Sequence, residues 1–176
     1  MSKFFMRIIE VIDYSGTWPE RFQIEKALIS GVLKNLHISL HHIGSTSVPG
    51  LAAKPIIDIL METNRIADLD DYEDEMMSIG FIAKGEFGIP GRRYFQKGDR
   101  THHLHAFGEG DPGLKRHLAY RDYLRAFPKV CADYTALKKS IALTCNNDID
   151  LYCSGKEAFV KYHEQEALSW VDKNRG

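Results

Sequence analysis

The stretch HIGSTSVPGLAAKPIIDIL, residues 42–60, predicts two β-strands joined by a tight turn. Apolar residues dominate on both sides of the turn and place the strands at 36–43 and 55–62. Gly44 opens the turn because glycine adopts backbone angles that other residues avoid. Pro55 takes the first position of the second strand, where a sheet tolerates the missing N–H group. The rest of the chain is organised around this pair.

The turn itself is rich in hydroxyl groups that suit a phosphate ligand. The segment Ser45–Ser47 can cap a short helix, and amide groups at a helix start favour an anion. Lys54 lies just before the second strand and can reach the same anion, or simply lie at the edge of the sheet. The substrate-binding residues predicted in this stretch are Gly44, Ser45, Thr46 and Lys54.

Asp58 places a carboxylate in the middle of an apolar strand. A buried charge is costly unless it is paired, hydrogen-bonded or bound to a metal. In the functional interpretation Asp58 is a metal ligand and a catalytic residue, together with Ser45 of the turn. In the structural interpretation its carboxylate accepts hydrogen bonds from the turn, and the sequence leaves both open. Glu62 shares the strand face but lies ~13 Å away, too far to bind the same ion.

The composition indicates one globular domain, residues 1–176, with 44% hydrophobic and 27% charged residues. The formal net charge of −1 argues against general nucleic-acid binding, although a local basic patch stays possible. Three cysteines without metal-ligand spacing indicate free thiols, and the first residues predict no signal peptide. Because no stretch reaches the length of a membrane span, we expect a cytoplasmic protein without a membrane partner.

The first half of the chain also predicts two helices. Apolar periodicity predicts a helix over 18–35, with Thr17 as its cap and Glu20 three residues further on. A second helix over 66–79 ends at Gly80, and its many acidic side chains are interpreted as a solvated face. Three further strands are predicted at 81–84, 92–97 and 101–107.

The last third of the chain predicts helices. Asp111 caps a helix over 112–126, and a second helix covers 128–143. The segment Ser-Gly-Lys-Glu at 154–157 matches a capping box and predicts the start of a third helix. This order of elements predicts an α+β fold, in which a mixed β-sheet carries helices mainly on one face and is followed by a C-terminal helical segment.

The strand at 101–107 places His103 and His105 on one face, because side chains alternate along a strand. Their β-carbons are about 6–7 Å apart, close enough to bind one ion. With His42 and Asp58 they form the predicted metal site, for a divalent ion such as Mg²⁺, Mn²⁺ or Zn²⁺, and imidazole favours the softer ions over Mg²⁺. Alternatively, the histidines hydrogen-bond the backbone or Asp58 without a metal.

Arg92 and Arg93 point to opposite faces of their strand, so at most one enters a cleft with the histidines. A guanidinium group there suits a phosphate or carboxylate, and both arginines are kept as candidate substrate-binding residues. Between residues 84 and 125, nine Lys or Arg stand against five Asp or Glu. This local excess favours an anionic ligand such as a nucleotide or another phosphorylated small molecule.

The run IGSTSVPGLAAKPIIDI, residues 43–59, resembles the signature of the GrpB family of small bacterial proteins. That family is generally placed in the nucleotidyltransferase superfamily, whose pattern of Gly-Ser followed by an acid-hydrophobic-acid motif is met by Gly44, Ser45 and Asp58. Leu60 departs from the pattern, because it occupies the place of the second metal-binding carboxylate. The family resemblance extends over Trp18-Pro19, GRRYF at 91–95, THHLH at 101–105 and YRDYL at 120–124.

The resemblance implies two functions from different classes. One is an enzyme that transfers a nucleotidyl group from a nucleoside triphosphate, with Gly44 and Ser45 holding phosphate and Asp58 holding the metal. The other is a non-catalytic module that binds a nucleotide or anion or assists folding, since the GrpB domain also occurs fused to dephospho-CoA kinase. Such a module would act on the kinase in trans. The superfamily favours the enzyme, and Leu60 favours the module.

Overall fold

The computed structural model describes residues 8–174, which form a five-stranded mixed sheet and five α-helices. The strands are β1 (Ile38–Ile43), β2 (Ile57–Thr63), β3 (Phe81–Ala83), β4 (Arg93–Lys97) and β5 (His102–Gly108). The helices are α1 (Trp18–Val32), α2 (Glu73–Ser78), α3 (Pro112–Ala126), α4 (Pro128–Thr144) and α5 (Ile149–Asn174). Short 3-10 helices cover Ser45–Ser47 and Ile66–Tyr72. The predicted α+β class with a mixed sheet is confirmed.

The strands lie in the order β1-β2-β5-β4-β3. Strands β2 and β5 are parallel, and the other neighbouring pairs are antiparallel. The parallel register pairs Asp58 with His103 and Leu60 with His105. The carboxylate strand and the histidine strand are therefore direct neighbours in the middle of the sheet.

One face of the sheet is covered by α1 and by the segment that contains α2. Alternate residues of β2, such as Ile57 and Ile59, pack there against Trp18 and Ile29 of α1 and against Met76 of α2. Fully burying a large apolar side chain stabilises a fold by about 1.5–3 kcal/mol. This cluster is the largest of the apolar clusters in residues 8–174 and holds the sheet against its helices.

The opposite face is covered only in part, by the C-terminal helices. Ile43, Leu60 and Phe107 pack there against Leu114 of α3. Beyond the sheet, α3 and α4 close over the loop that follows the 3-10 helix; the buried residues of that contact are Val48, Leu51, Leu124, Cys131 and Tyr134. The uncovered part of this face is where the side chains of Asp58, His103 and His105 emerge.

Several predicted details differ from the structure. Pro55 is not the first residue of the second strand, because it lies two residues before β2, which begins at Ile57. Thr17 makes no side-chain capping hydrogen bond to the start of α1, and its hydroxyl pairs with the Ser15 hydroxyl at 2.8 Å. The segment predicted as one helix over 66–79 is a 3-10 helix followed by the short α2. Ser154 lies inside α5, which begins five residues earlier, and the Asp148 carboxylate instead accepts hydrogen bonds from the first amides of this helix.

None of the helices in the described part of the chain has the length and apolar composition needed to cross a membrane.

Candidate functional site

The turn between β1 and β2 lies directly against Asp58. Gly44 has a φ of +71°, a backbone conformation that favours glycine. A β-carbon built on Gly44 would lie 2.7 Å from Asp58 Oδ2 and 3.1 Å from Asp58 Cβ. Glycine at this position therefore allows the backbone of the turn to approach the carboxylate closely.

Asp58, His103 and His105 form a cluster on the uncovered face of the sheet. Asp58 Oδ1 lies 3.4 Å from His103 Nδ1 and 3.3 Å from His105 Nε2. One candidate ligand atom from each of the three residues lies within 4.8 Å of the others. Burial alone would raise the pKa of Asp58, but hydrogen bonds from both histidines outweigh it and hold that pKa well below its usual value. The carboxylate is therefore ionised across the physiological range.

Arg92 fixes the orientation of His105 by contacting the ring nitrogen that does not face Asp58. Its Nη1 lies 3.3 Å from His105 Nδ1, and the side chain is buried between the sheet and the following loop. A guanidinium group can only donate, so Nδ1 accepts and Nε2 carries the proton directed at Asp58. Histidines that bind metals have the reverse arrangement, in which the second ring nitrogen donates its proton to an acceptor. In this arrangement His105 is a hydrogen-bond donor to Asp58.

A cavity of about 220 Å³ opens beside the cluster, between the turn and the C-terminal helices. Its only acid among the described lining residues is Asp58, whereas three lysines reach it. Lys138 of α4 donates to Ser45 Oγ at 2.8 Å. The full set of lining residues is Ser45, Thr46, Ala53, Lys54, Ile56, Asp58, His103, Lys138, Tyr152 and Lys156.

Aromatic rings hold these lysines in place. The ammonium groups of Lys54 and Lys156 each lie 5.0 Å from the ring centroid of Tyr152, and that of Lys138 lies 4.4 Å from the ring of Tyr134. Such cation–π contacts orient an ammonium group without neutralising its charge. The cavity therefore combines concentrated positive charge with Asp58 as the one carboxylate of its described lining, which suits a polyanion better than a monoanion.

Lys138 is almost completely buried, at 2% exposure. Burial, together with the nearby positive charges of Lys156 and Lys54, lowers the pKa of Lys138 to about 7. An anion entering the cavity would compensate these charges and favour the protonated ammonium. Lys138 is thus placed to respond to an anionic ligand.

His42 does not join the cluster, so the prediction that it shares one pocket with Asp58 and the other histidines is wrong. The antiparallel register places Ile43 beside Asp58, and His42 therefore lies on the helix-covered face. There its ring stacks on Phe22 at 4.9 Å, and its Nε2 pairs with Thr46 Oγ1 at 2.9 Å. Burial and the charge of Arg125 lower the pKa of His42 to about 4.

The two candidate arginines are occupied by protein contacts. Arg92 donates to the carbonyl oxygens of Glu86 and Phe87, besides contacting His105. Arg93 lies on the other face and forms a surface ion pair with Asp70 at 2.6 Å. The expectation that the two point to opposite faces is confirmed. The structure places both outside the lining of the lysine cavity.

The profile of the GrpB protein family matches residues 8–166. This chain belongs to the GrpB family. One relative, UPF0157 protein YqkA of Bacillus subtilis, is 45% identical over 166 residues, covering 93% of this chain and 48% of the relative. The chain thus spans about half the length of that relative.

A second relative is a dephospho-CoA kinase of Mycolicibacterium paratuberculosis, 27% identical over 93% of this chain and 47% of the kinase chain. Among solved structures, the conserved protein GrpB from Enterococcus faecalis is 42% identical with a TM-score of 0.88, covering 92% of this chain and 99% of that chain. Cid1 in complex with its short product ApU shares 12% identity with a TM-score of 0.52, over 72% of this chain and 42% of that chain. The GrpB fold is therefore nucleotidyltransferase-like.

Sequence reasoning missed four residues of this region. Lys138, Lys156 and Tyr152 line the cavity, and the ring of His117 lies 5.6 Å from that of His105. A signal for Lys138 was present, because Cys131, Tyr134 and Ile141 place it on an apolar helical stripe where a lysine is unexpected. Which part of the protein this helical face packs against depends on the tertiary structure, and a local sequence pattern does not determine it.

Proposed function

We propose that this GrpB domain binds a nucleotide, or another phosphorylated small molecule, through its phosphate groups in the lysine-lined cavity. One observation carries the proposal: Lys54, Lys138 and Lys156 line one cavity together with Ser45, and Asp58 is the only described acid in the lining. Charge-assisted hydrogen bonds from ammonium groups to phosphate oxygens are among the stronger polar contacts in proteins. The Ser45 hydroxyl, already held by Lys138, adds a neutral donor at the same place.

The residues present do not fit the pair of metal ions that the nucleotidyltransferase fold implies. Two-metal phosphoryl transfer uses carboxylates that hold both ions, and position 60 carries a fully buried leucine. A single divalent ion fits better. Asp58 and His103 Nδ1 would hold it, and His105 would join only if Arg92 released Nδ1. Such an ion, when bound, would offset phosphate charge beside the turn.

Nucleotidyl transfer is the more specific candidate within this proposal. The position of Asp58 favours nucleotidyl transfer, because this residue lies beside both the Gly44 turn and the lysine-lined cavity. A divalent ion held by the ionised carboxylate would act on phosphate bound there. A non-catalytic binding or folding-accessory role is the alternative, and Leu60 favours it. The similarity to a dephospho-CoA kinase makes coenzyme A and that kinase natural ligands to test.

Calorimetric titration of tripolyphosphate, ATP, CTP and coenzyme A, with and without Mg²⁺ or Mn²⁺, tests the binding. Lys138→Met and Lys139→Met remove the same charge from adjacent positions. Lys138 faces the cavity, whereas the exposed Lys139 pairs with Asp13 on the surface. We expect Lys138→Met to weaken binding by ~10- to 150-fold, the equivalent of one charged hydrogen bond, and Lys139→Met to change it little.

Two results would contradict the proposal: no binding of any of these anions, or equal effects of the two lysine variants. Metal-dependent binding that Asp58→Asn abolishes, followed by pyrophosphate release, would support the transferase. Metal-independent binding without turnover would support the module. Binding of the kinase, measured by the same titration, would identify it as a partner.

A further inference from the structure

The loop between β3 and β4 presents a phenylalanine to solvent. Phe87 is 63% exposed and has a φ of +47°, a conformation that is rare for a bulky residue. Holding such a residue in this region costs free energy, and such strain often marks a functional position. Core packing therefore does not explain why a phenylalanine occupies this exposed position with a strained backbone.

Hydrogen bonds fix the backbone of this loop, so the exposure of Phe87 is a property of the folded state. The buried Arg92 donates to the carbonyl oxygens of Glu86, at 3.1 Å, and of Phe87, at 2.7 Å. The Gly91 amide donates to Glu86 Oε1 at 2.7 Å, which closes the loop from the other side. These contacts fix the backbone from which the phenyl ring projects.

The ring stands next to the acid–histidine cluster. Phe87 stacks on Tyr94, with centroids 4.9 Å apart and an interplanar angle of 13°. The Tyr94 ring in turn lies 5.3 Å from that of His105 and 5.7 Å from that of His103. Only one aromatic ring separates Phe87 from the histidines that contact Asp58. Because the stack with Tyr94 covers one face of the Phe87 ring and the residue is still 63% exposed, its other face is accessible to a ligand.

We propose that this open face of Phe87 stacks the heterocyclic base of a nucleotide whose phosphates occupy the lysine-lined cavity. The proposal rests on the proposed function, and it narrows the ligand from any phosphorylated molecule to one with a planar aromatic ring. His103 lines the cavity and its ring also lies 5.7 Å from that of Tyr94, so this histidine adjoins both subsites. Stacking on a side-chain ring tolerates every base, because each base has an aromatic face.

Comparing ATP with tripolyphosphate separates the ring from the phosphates. Phe87→Asn removes the ring and suits the positive φ, since asparagine tolerates this region better than phenylalanine. We expect this variant to be at least as stable as wild type, to bind tripolyphosphate unchanged, and to bind ATP ~5- to 150-fold more weakly. Phe87→Trp keeps a stacking surface and retains ATP affinity. Tyr162→Ala, which removes an exposed aromatic ring on α5, serves as the control and changes neither.

The outcomes distinguish this inference from the function on which it rests. If wild type binds tripolyphosphate as tightly as ATP, or if Phe87→Asn binds both ligands normally, the stacking site is refuted and the phosphate site stands. If wild type binds neither ligand, both proposals fail. A loss of ATP binding in Phe87→Asn that is matched by an equal loss of tripolyphosphate binding would indicate a structural role for Phe87 and would also overturn the inference.

Discussion

At the scale of single residues, Gly44 and Asp58 depend on each other. The turn backbone and the carboxylate occupy space that a single additional carbon would fill, 2.7 Å from Asp58 Oδ2. The same carboxylate contacts two imidazoles, and one of these is oriented by Arg92. The geometry of the cluster is thus determined by Gly44, whose lack of a side chain leaves room for the carboxylate, and by the buried guanidinium of Arg92.

Gly44→Ala is expected to destabilise the protein more than Gly50→Ala. Both glycines have a positive φ, of +71° and +83°, but nothing lies within 4 Å of a β-carbon at Gly50. The Gly50→Ala control therefore loses stability only through the backbone strain that alanine acquires at a positive φ, about 1–2 kcal/mol. Gly44→Ala adds an overpacking cost of about 1–3 kcal/mol. Urea unfolding of both variants measures the difference, and equal losses would show that contact with Asp58 does not constrain the turn.

At the scale of elements, the crossing of α4 and α5 positions two of the three cavity lysines. Gly155 of α5 lies against Ile141 of α4, where an added β-carbon would be 3.0 Å from Ile141 Cδ1. Lys138 lies one turn before this contact in α4, and Lys156 follows it directly in α5. The spacing of the two helices consequently sets the spacing of the ammonium groups.

Gly155→Leu is expected to push α4 and α5 apart, to cost about 1–3 kcal/mol of stability, and to weaken tripolyphosphate binding. Ala158→Leu introduces the same side chain at an exposed position of α5 and serves as the control. Thermal unfolding and calorimetric titration give the two readouts. Normal tripolyphosphate affinity in a destabilised Gly155→Leu protein would contradict the role of this crossing in the site.

At the scale of the whole molecule, the formal net charge of −1 conceals a strong local concentration of positive charge. Folding brings lysines from the β1–β2 connection, α4 and α5 into one cavity, where Asp58 is the only acid among the described lining residues. Burying Lys138 as a cation lowers the free energy of unfolding, and this effect appears in the pH dependence of global stability.

Because burial lowers the pKa of Lys138 from its ordinary value of 10.5 to about 7 in the folded state, the unfolded chain binds more protons between these two pH values. Stability should therefore rise as the pH increases from about 7 to about 10.5, by up to about 1.4 kcal/mol per pH unit from this group. Lys138→Met removes this contribution, and Lys139→Met keeps it. Urea unfolding at several pH values checks the prediction, and parallel curves for wild type and Lys138→Met would contradict it.

Local patterns in the sequence determined much of the architecture. The Gly44 turn, the central strands, the alternation that puts His103 and His105 on one face, and the approximate bounds of most helices follow from short-range sterics and periodicity. These features are readable because each depends on residues close together in the chain.

Only the tertiary structure decided which distant groups meet. The register between β1 and β2 sent His42 to the helix-covered face, and the packing of α4 brought Lys138 to Ser45, 93 positions away in the chain. The Phe87 loop reached the cluster through Arg92 and Tyr94 in the same way. Registers and helix crossings are set by the summed burial of many side chains, so no single segment of the sequence contains them.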